Sequence, residues 1–218
     1  MGDFIMEQED KNMQAEPSEA QENPKKQPQP KGYEAYLSLF DLVRMLAVIT
    51  LVFVFFFRLN GVSGSSMYPT LVDKDYLVLE SNFLYRDAKQ GDIVVLYTPP
   101  FSENDELLVK RVIGLPGDTV ACKGSGEPIT VNGKPIDESA YLKSGVNPSD
   151  SPFSVTVTDG NVFVLGDNRS NSRDSRYHLD DGNNGLVPYD DIQGVALFRF
   201  WPFTRTVSYT HLTLPTKL

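Results

Sequence analysis

The sequence is poor in the residues that build metal and disulfide sites, since its 218 residues include one cysteine and two histidines. A lone Cys122 excludes an intramolecular disulfide, and the lack of a Cys/His cluster excludes a structural zinc site. We therefore expect neither a metal ion nor a cofactor.

Basic residues are in the minority: 20 Lys and Arg stand against 29 Asp and Glu, a net charge of −9. Nucleic-acid-binding surfaces normally carry a basic patch or stripe, so we expect no nucleic-acid partner. At roughly 150 residues per domain, the length allows one fair-sized domain with accessory segments.

Large apolar side chains are almost missing from residues 7–32, where Gln, Glu, Pro and Lys dominate. Such a segment cannot bury enough surface to offset the entropy lost on ordering. We predict a disordered acidic tail over residues 1–34.

A long apolar run follows the tail. Met45–Phe57 holds 13 residues without a charge, which span only about 20 Å as a helix, against about 30 Å for a hydrocarbon core. Adding Tyr36–Val43 lengthens the helix and places Asp41 and Arg44 three residues apart, where they can pair. We predict a single transmembrane anchor over residues 35–58.

Two other interpretations of the apolar run stay open: a cleaved secretory signal and a buried core helix. An acidic tail of about forty residues is unlike the short basic start of a signal peptide, and three consecutive phenylalanines suit lipid. The lysines of the tail and Arg44, set against Arg58, favour a tail inside and the remainder outside the cell membrane.

The chain after Arg58 has the texture of a β domain, with short β-branched runs between Gly, Pro, Asp and Asn. It shows no long amphipathic helix, and Asn132-Gly133 is a strong two-residue hairpin signal. We predict a mostly β, antiparallel domain over residues 59–207. The predicted strands are Tyr76–Glu80, Ile93–Tyr97, Leu107–Gly114, Thr119–Lys123, Ile129–Val131, Val155–Thr158, Asn161–Gly166 and Gly194–Trp201.

The last eleven residues, 208–218, break this texture. They are similar to a translated sequencing adapter joined to a truncated reading frame. We expect them to be a non-native tail and leave them out of the fold prediction.

Two polar segments are candidates for chemistry. Small residues and a proline in Ser63–Thr70 predict a tight, exposed turn that presents a hydroxyl, with backbone N–H groups close by. Gly166–Arg176 predicts a polar shelf or a solvated loop. A connecting turn without function is the bland alternative for the first. His178, just beyond the second, leaves a Ser–His–Asp arrangement open.

A lysine in an apolar strand is the third candidate. Lys110 shares a strand face with Leu108 and Val112. Burial lowers the pKa of an amine. From about 10.4 a lysine is neutral only about 0.04% of the time at pH 7, whereas a pKa of roughly 7–8 makes it a usable general base. The alternative is an edge-strand lysine that deters aggregation.

Taken together, a serine on a turn, a semi-buried lysine and a polar loop form the parts of a Ser–Lys acyl-transfer site. Four motifs in this order resemble the bacterial type I signal peptidases, membrane-bound Ser–Lys proteases that remove signal peptides from exported proteins. These motifs are Ser66–Thr70, Gly91–Val95, Lys110–Asp118 and Gly166–Arg176.

The resemblance implies a role for several residues. Ser66 corresponds to the nucleophile, Lys110 to the general base and Ser172 to the hydroxyl that orients the lysine. Gly64 stands at an oxyanion position where some members have a serine, and it offers only backbone. Three further residues correspond to those that hold the last loop in shape: Asp167, Asp174 and Arg176.

The resemblance also implies a fold, a location and partners. We expect a β-rich catalytic core on the extracytoplasmic side of the cell membrane, with an inserted segment near residues 120–160. Expected partners are secreted preproteins and the lipid bilayer, and the expected cleavage follows a small-x-small site. The substrate should add a strand beside Leu107–Lys110. Candidate residues for its shallow apolar pockets are Val62, Met67, Leu71, Leu108 and Val109.

Two rivals to this function stay open. An autoproteolytic repressor with a Ser–Lys dyad would need a DNA-binding helical domain, which this sequence lacks. An anchored β domain that binds secreted peptides without cutting them, or an inactive relative, would differ from the peptidase in having no turnover.

Overall fold

A computed structural model describes residues 32–83, 88–97, 107–142, 145–180 and 182–202, together with the backbone of 207–208. The chain divides into two compact units, Met1–Arg44 and Met45–Leu218. Most of the predicted disordered tail, residues 1–31, lies outside the described residues. So do residues 209–218 of the segment predicted to be non-native.

One long helix, α1, spans Tyr33–Phe56. It starts and ends two residues before the predicted anchor, because Phe57 and Arg58 already belong to the first strand. Within its first half, Arg44 pairs with Asp41 at 3.1 Å, as their spacing predicts. None of its residues is buried, which contradicts the interpretation as a core helix. By length and composition α1 can cross a membrane.

The second unit is built from twelve strands in its described part. Their bounds in chain order are β1 (Phe57–Gly61), β2 (Tyr76–Ser81), β3 (Ile93–Tyr97), β4 (Leu107–Gly114), β5 (Thr119–Cys122), β6 (Thr130–Val131), β7 (Lys134–Pro135), β8 (Phe153–Thr156), β9 (Asn161–Leu165), β10 (Val187–Pro188), β11 (Ile192–Trp201) and β12 (Val207–Ser208).

These strands form two antiparallel sheets. The larger has the order β1-β2-β11-β3-β4-β9-β10, with β12 paired to β11, and the smaller has the order β7-β6-β5-β8. The smaller sheet is built from strands between residues 119 and 156, and the inserted segment near residues 120–160 stays a prediction. The prediction of a mostly antiparallel β fold with one N-terminal apolar helix is therefore confirmed.

All eight predicted strands are present, with ends that differ by up to two residues. The Asn132-Gly133 turn joins β6 to β7, and both residues have positive φ, 53° and 76°, as a type I′ hairpin requires. The strands that were not predicted, β1, β7, β10 and β12, are five residues or shorter. Pairing with a neighbour defines them, rather than an apolar pattern of their own.

Three apolar clusters make up the core, and two of them position the site. One joins the smaller sheet to β9, around Ile113 and Phe163. A second lies beneath the turn that follows β1 and includes Met67 and Leu71. Gly114 permits the close approach of β4 and β5, because a Cβ there would lie 2.4 Å from a methyl group of Val120.

Candidate active site

The serine-rich turn is a closed loop between β1 and β2. The backbone N–H of Val62 donates to the carbonyl of Asp75 at 2.7 Å, and that of Lys74 donates to the carbonyl of Val62 at 2.9 Å. Met67 is buried directly after Ser66, whereas Ser66 itself is half-buried. The apolar cluster thus anchors the turn and leaves its serine at the rim.

Lys110 of β4 meets this serine. Its Nζ lies 3.0 Å from Ser66 Oγ and donates to the carbonyl of Val109 at 3.1 Å. Lys110 is only 1% exposed. Burial lowers its pKa from 10.5 to about 8, against the opposing attraction of the Asp174 and Asp167 carboxylates. About a tenth of the amine is then neutral at pH 7, which makes it a competent base for the adjacent hydroxyl.

Asp167 joins three elements around this pair. It accepts two bonds from Arg111 of β4, at 2.8 and 2.7 Å, and one from the hydroxyl of Thr70 at 2.5 Å. Arg111 also donates to the carbonyl of Gly91 at 2.9 Å. Both members of the ion pair are buried. The resemblance indicated Asp167 as a support residue but did not indicate its partners Arg111 and Thr70.

Asp174 and Arg176 brace the polar loop from its other end. Two nitrogens of Arg176 reach the Asp174 carboxylate at 2.8 and 2.9 Å. Asp174 also accepts the backbone N–H of Gly166 at 3.0 Å, while Arg176 donates to the carbonyl of Pro148 at 2.8 Å. Asp174 therefore bonds to the start of the loop at Gly166, and Arg176 bonds to the neighbouring segment at Pro148.

Two asparagines that sequence reasoning missed join the loop to the serine turn. The backbone N–H of Asn168 donates to the carbonyl of Ser66 at 2.9 Å, and its side-chain amide donates to the carbonyl of Ser65 at 3.0 Å. Asn171 donates to Ser65 Oγ at 3.0 Å. Their only signal in the sequence was the density of polar residues, which does not identify a partner.

Ser172 lies at the site, but its hydroxyl does not touch the lysine. It is 5% exposed, and within the described residues its Oγ has no hydrogen-bond partner. The bond to Lys110 that the resemblance implies is therefore not made in this structure, where the Lys110 amine donates to Ser66 and Val109. Ser172 packs against Gly166, where a Cβ would lie 2.1 Å from its Oγ.

Gly64 differs from its expected place in an oxyanion site. Its φ is +89°, a conformation that suits glycine, and its N–H donates to the carboxylate of Asp73 at 3.0 Å. Gly64 has no side-chain donor, so its one hydrogen-bonding donor is already engaged in shaping the turn.

The five candidate pocket residues separate into two groups. Val62, Met67 and Leu71 are buried in the cluster beneath the serine turn, because the turn needs an apolar anchor. Leu108 and Val109 are half-buried on β4, beside Lys110. Only the latter two present substantial surface.

His178 belongs to a short 3-10 turn over Ser175–His178, and the side chain that meets Ser66 Oγ is Lys110, which favours a Ser–Lys site over Ser–His–Asp.

Comparison with known proteins finds relatives with signal-peptidase names. The chain is 39% identical over 159 residues to signal peptidase I P of Bacillus subtilis subsp. natto, covering 69% of this chain and 80% of that protein. It is 38% identical over 170 residues to signal peptidase I of Bacillus amyloliquefaciens, covering 73% and 85%.

A crystal structure of a signal peptidase I from Enterococcus faecalis V583 matches with 30% identity and a TM-score of 0.39, over 50% of this chain and 97% of that one. The family model described as signal peptidase, peptidase S26, matches residues 36–201, well over half of the sequence. The chain belongs to the signal peptidase family, peptidase S26.

Proposed function

We propose that this protein is a membrane-bound endopeptidase that removes signal peptides from exported preproteins, with Ser66 as nucleophile and Lys110 as general base. One observation carries the catalytic assignment: a buried lysine with a lowered pKa has its Nζ 3.0 Å from the hydroxyl of a turn serine. The relatives, which are signal peptidases, support the substrate class.

The reaction proceeds through an acyl-enzyme. Neutral Lys110 takes the proton of Ser66 as its Oγ attacks the carbonyl carbon of the scissile peptide bond. The resulting ammonium then protonates the leaving amine, the C–N bond breaks, and an ester to Ser66 remains. Lys110, neutral again, activates a water molecule that hydrolyses the ester and regenerates the serine.

The oxyanion of each tetrahedral intermediate accepts the backbone N–H of Ser66. A second donor from Gly64 would require its amide to leave Asp73. Loss of a single oxyanion donor costs about 3–4 kcal/mol in transition-state stabilisation. This enzyme therefore relies on Ser66 and the rigidity of its turn more than a relative with a serine at position 64.

The support residues act by holding the pair in place. Asp167 fixes Arg111, next to Lys110, and Thr70, in the serine turn. Asp174 and Arg176 set the start of the polar loop. Ser172 has a buried hydroxyl without a hydrogen-bond partner in the described part of the chain, and it bonds to the Lys110 amine once the proton has moved.

The substrate docks as an added strand on β4. Strand β9 pairs with β4 only from Arg111 onward, so among the described residues no strand pairs with Leu107–Lys110 on that side, and an extended peptide can add there. The half-buried side chains of Leu108 and Val109 form shallow pockets that accept small residues, and we expect cleavage after a small-x-small site for this reason.

The apolar helix α1 anchors the enzyme in the cell membrane as a single span. The β domain lies on the extracytoplasmic side, where a preprotein presents its signal peptide after export. The tail remains inside, in the orientation favoured by the positive charges before the helix.

The test is cleavage of a preprotein with a small-x-small site by the detergent-solubilised, full-length protein. Ser66→Ala and Lys110→Ala are compared with Ser154→Ala, which removes an exposed hydroxyl from β8. We expect cleavage after the small-x-small site by the wild type and by Ser154→Ala, with no turnover by the other two. Stoichiometric binding without turnover by the wild type would indicate an anchored peptide-binding or inactive relative instead.

A further inference from the structure

Two residues of the inserted segment reach the polar loop that supports Ser66. Glu138 and Tyr141 follow β7, and Tyr141 is 5% exposed. The Tyr141 hydroxyl donates to Glu138 Oε1 at 2.9 Å. Burial and the nearby Glu138 carboxylate raise the pKa of Tyr141, so the phenol stays protonated and remains a donor.

Glu138 is linked to the polar loop through the buried side chain of Arg169. Both oxygens of its carboxylate accept bonds from Arg169, one of them from Nη1 at 3.1 Å. Arg169 is 2% exposed, and its Nε donates to the carbonyl of Gly166 at 3.1 Å. The Glu138 carboxylate therefore holds the backbone at the start of the loop through one intermediate side chain.

Tyr141 reaches the same loop by a second route. The guanidinium of Arg111 lies 4.1 Å from the centre of the Tyr141 ring, close enough for a cation–π interaction. The same guanidinium holds Asp167 with two bonds. Because Asn168 then bonds to the carbonyl of Ser66, a shift in this loop moves the nucleophile.

The charges of this cluster balance. Two buried arginines, Arg111 and Arg169, face two carboxylates, Asp167 and Glu138. Removing one partner of a buried pair leaves an uncompensated charge, which reorganises its surroundings. Glu138, one of these two carboxylates, therefore belongs to the inserted segment. Lys110 lies on β4 of the large sheet, and Ser66 lies in the turn between β1 and β2 of that sheet.

We propose that Glu138 and Tyr141 are positioning residues for the peptidase reaction, which hold the Gly166–Ser172 loop against the serine turn. The proposal rests on the proposed function of Ser66 and Lys110. It assigns the inserted segment a part in catalysis, although neither residue touches the reacting atoms. A misplacement of about 1 Å can cost about 10²-fold in rate.

The consequence extends to the base. Three charged groups affect the pKa of Lys110: Asp174, Asp167 and Arg176. All three belong to the polar segment Gly166–Arg176. A loosened loop admits water to Lys110 and weakens desolvation, the largest effect on its pKa, while the weaker attraction of the carboxylates is a smaller, opposing effect. The pKa then rises towards 10.5, and the acid limb of the kcat/KM–pH profile moves to higher pH.

The experiment compares Glu138→Ala, Glu138→Gln and Tyr141→Phe with Glu127→Gln in the full-length protein. Glu138→Gln keeps the size and one acceptor oxygen, and Tyr141→Phe keeps the ring over Arg111 but removes the hydroxyl. Glu127 is an exposed acid of the same inserted segment and serves as the matched control. The readouts are kcat, KM, the acid limb and the thermal unfolding midpoint.

We expect Glu138→Ala to lower kcat about 10²-fold, with KM little changed and the acid limb moved upward. Glu138→Gln and Tyr141→Phe should fall between it and the wild type, and Glu127→Gln should match the wild type.

If Glu138→Ala does not fold, Glu138→Gln and Tyr141→Phe must still show the lowered kcat and the moved acid limb. Folded variants with a wild-type kcat and an unchanged acid limb would overturn the proposal. A lower thermal unfolding midpoint without a change in kcat or in the acid limb would overturn it too. A wild type without serine-dependent cleavage would instead refute the proposed function.

Discussion

Gly166 and Ser172 face each other at the start and end of the polar loop, so closely that a Cβ on Gly166 would lie 2.1 Å from Ser172 Oγ. The same Cβ would lie 2.6 Å from the carbonyl oxygen of Ser66. Since real Cβ atoms do not approach heavy atoms to this extent, one of these groups must move. The backbone of Gly166 therefore packs directly against the backbone of Ser66, with no room for a side chain between them.

Replacing Gly166 by alanine should therefore impair catalysis severely. The methyl group forces the Ser66 backbone or Ser172 out of place, and we expect kcat/KM to fall by about 10²-fold or more. Gly182→Ala is the control, because a Cβ at Gly182 meets nothing within 4 Å. Preprotein cleavage by both variants, at equal folded concentration, measures the effect. Equal rates would mean that the two segments separate freely.

The rate of cleavage should fall as the pH is lowered through about 8. Only neutral Lys110 can accept the serine proton, and its pKa is about 8 in the folded enzyme. Below that value each pH unit should lower kcat/KM about tenfold. A kcat/KM–pH profile from pH 5 to 10 measures this directly. A rate that does not change from pH 5 to 9 would argue against Lys110 as the base.

Replacing Lys110 by methionine should abolish cleavage and stabilise the fold. At pH 7 the folded protein holds a buried amine with a pKa of about 8, against 10.5 when it is free in solution. The ammonium therefore opposes folding by about 3 kcal/mol at this pH. Urea unfolding should show a higher free energy of unfolding for the variant.

The pH dependence of this gain follows from the same two pKa values. Between pH 8 and 10.5 the unfolded wild type still binds a proton that the folded wild type has released. Wild-type stability thus rises with pH across that window, and the advantage of methionine should shrink there. A variant that is less stable than the wild type at pH 7 would show that the contacts of Lys110 outweigh its desolvation.

The base of the serine turn depends on a further buried ion pair. Arg199 of β11 donates to Asp75 Oδ2 at 2.9 Å and to the carbonyl of Thr70 at 3.3 Å, and both charged side chains are buried. Arg199→Met leaves the buried Asp75 carboxylate with the backbone N–H of Val72 but without its cation. We expect a loss of about 3–5 kcal/mol in the free energy of unfolding.

Urea titration of Arg199→Met and of Arg58→Met at pH 7 measures this loss. Arg58 makes an exposed bond to Gln193, so its removal should change stability by less than about 1 kcal/mol. Similar losses in the two variants would mean that the Asp75 pair has no special place in the turn.

Much of the β domain was predictable from local sequence. Runs of β-branched residues such as Ile93–Tyr97 favour an extended strand whichever neighbour they pair with, and Asn132-Gly133 favours a hairpin by its backbone conformation. The apolar neighbours of Lys110 likewise indicated burial. Short strands such as β10 escaped prediction, because a two-residue strand has no periodicity and exists only through its pairing with β9.

The composition and motifs of this sequence determined the apolar helix, the strand-forming runs and the residue types available for acyl transfer, since these depend on side chains within a few positions of each other. Tertiary structure alone decided which of them meet. It brings Lys110 to Ser66 across 44 positions and Arg111 to Asp167 across 56, and it engages the Gly64 amide with Asp73. Such contacts form only after the strands pair, because their energy depends on distances and burial that the folded sheets impose.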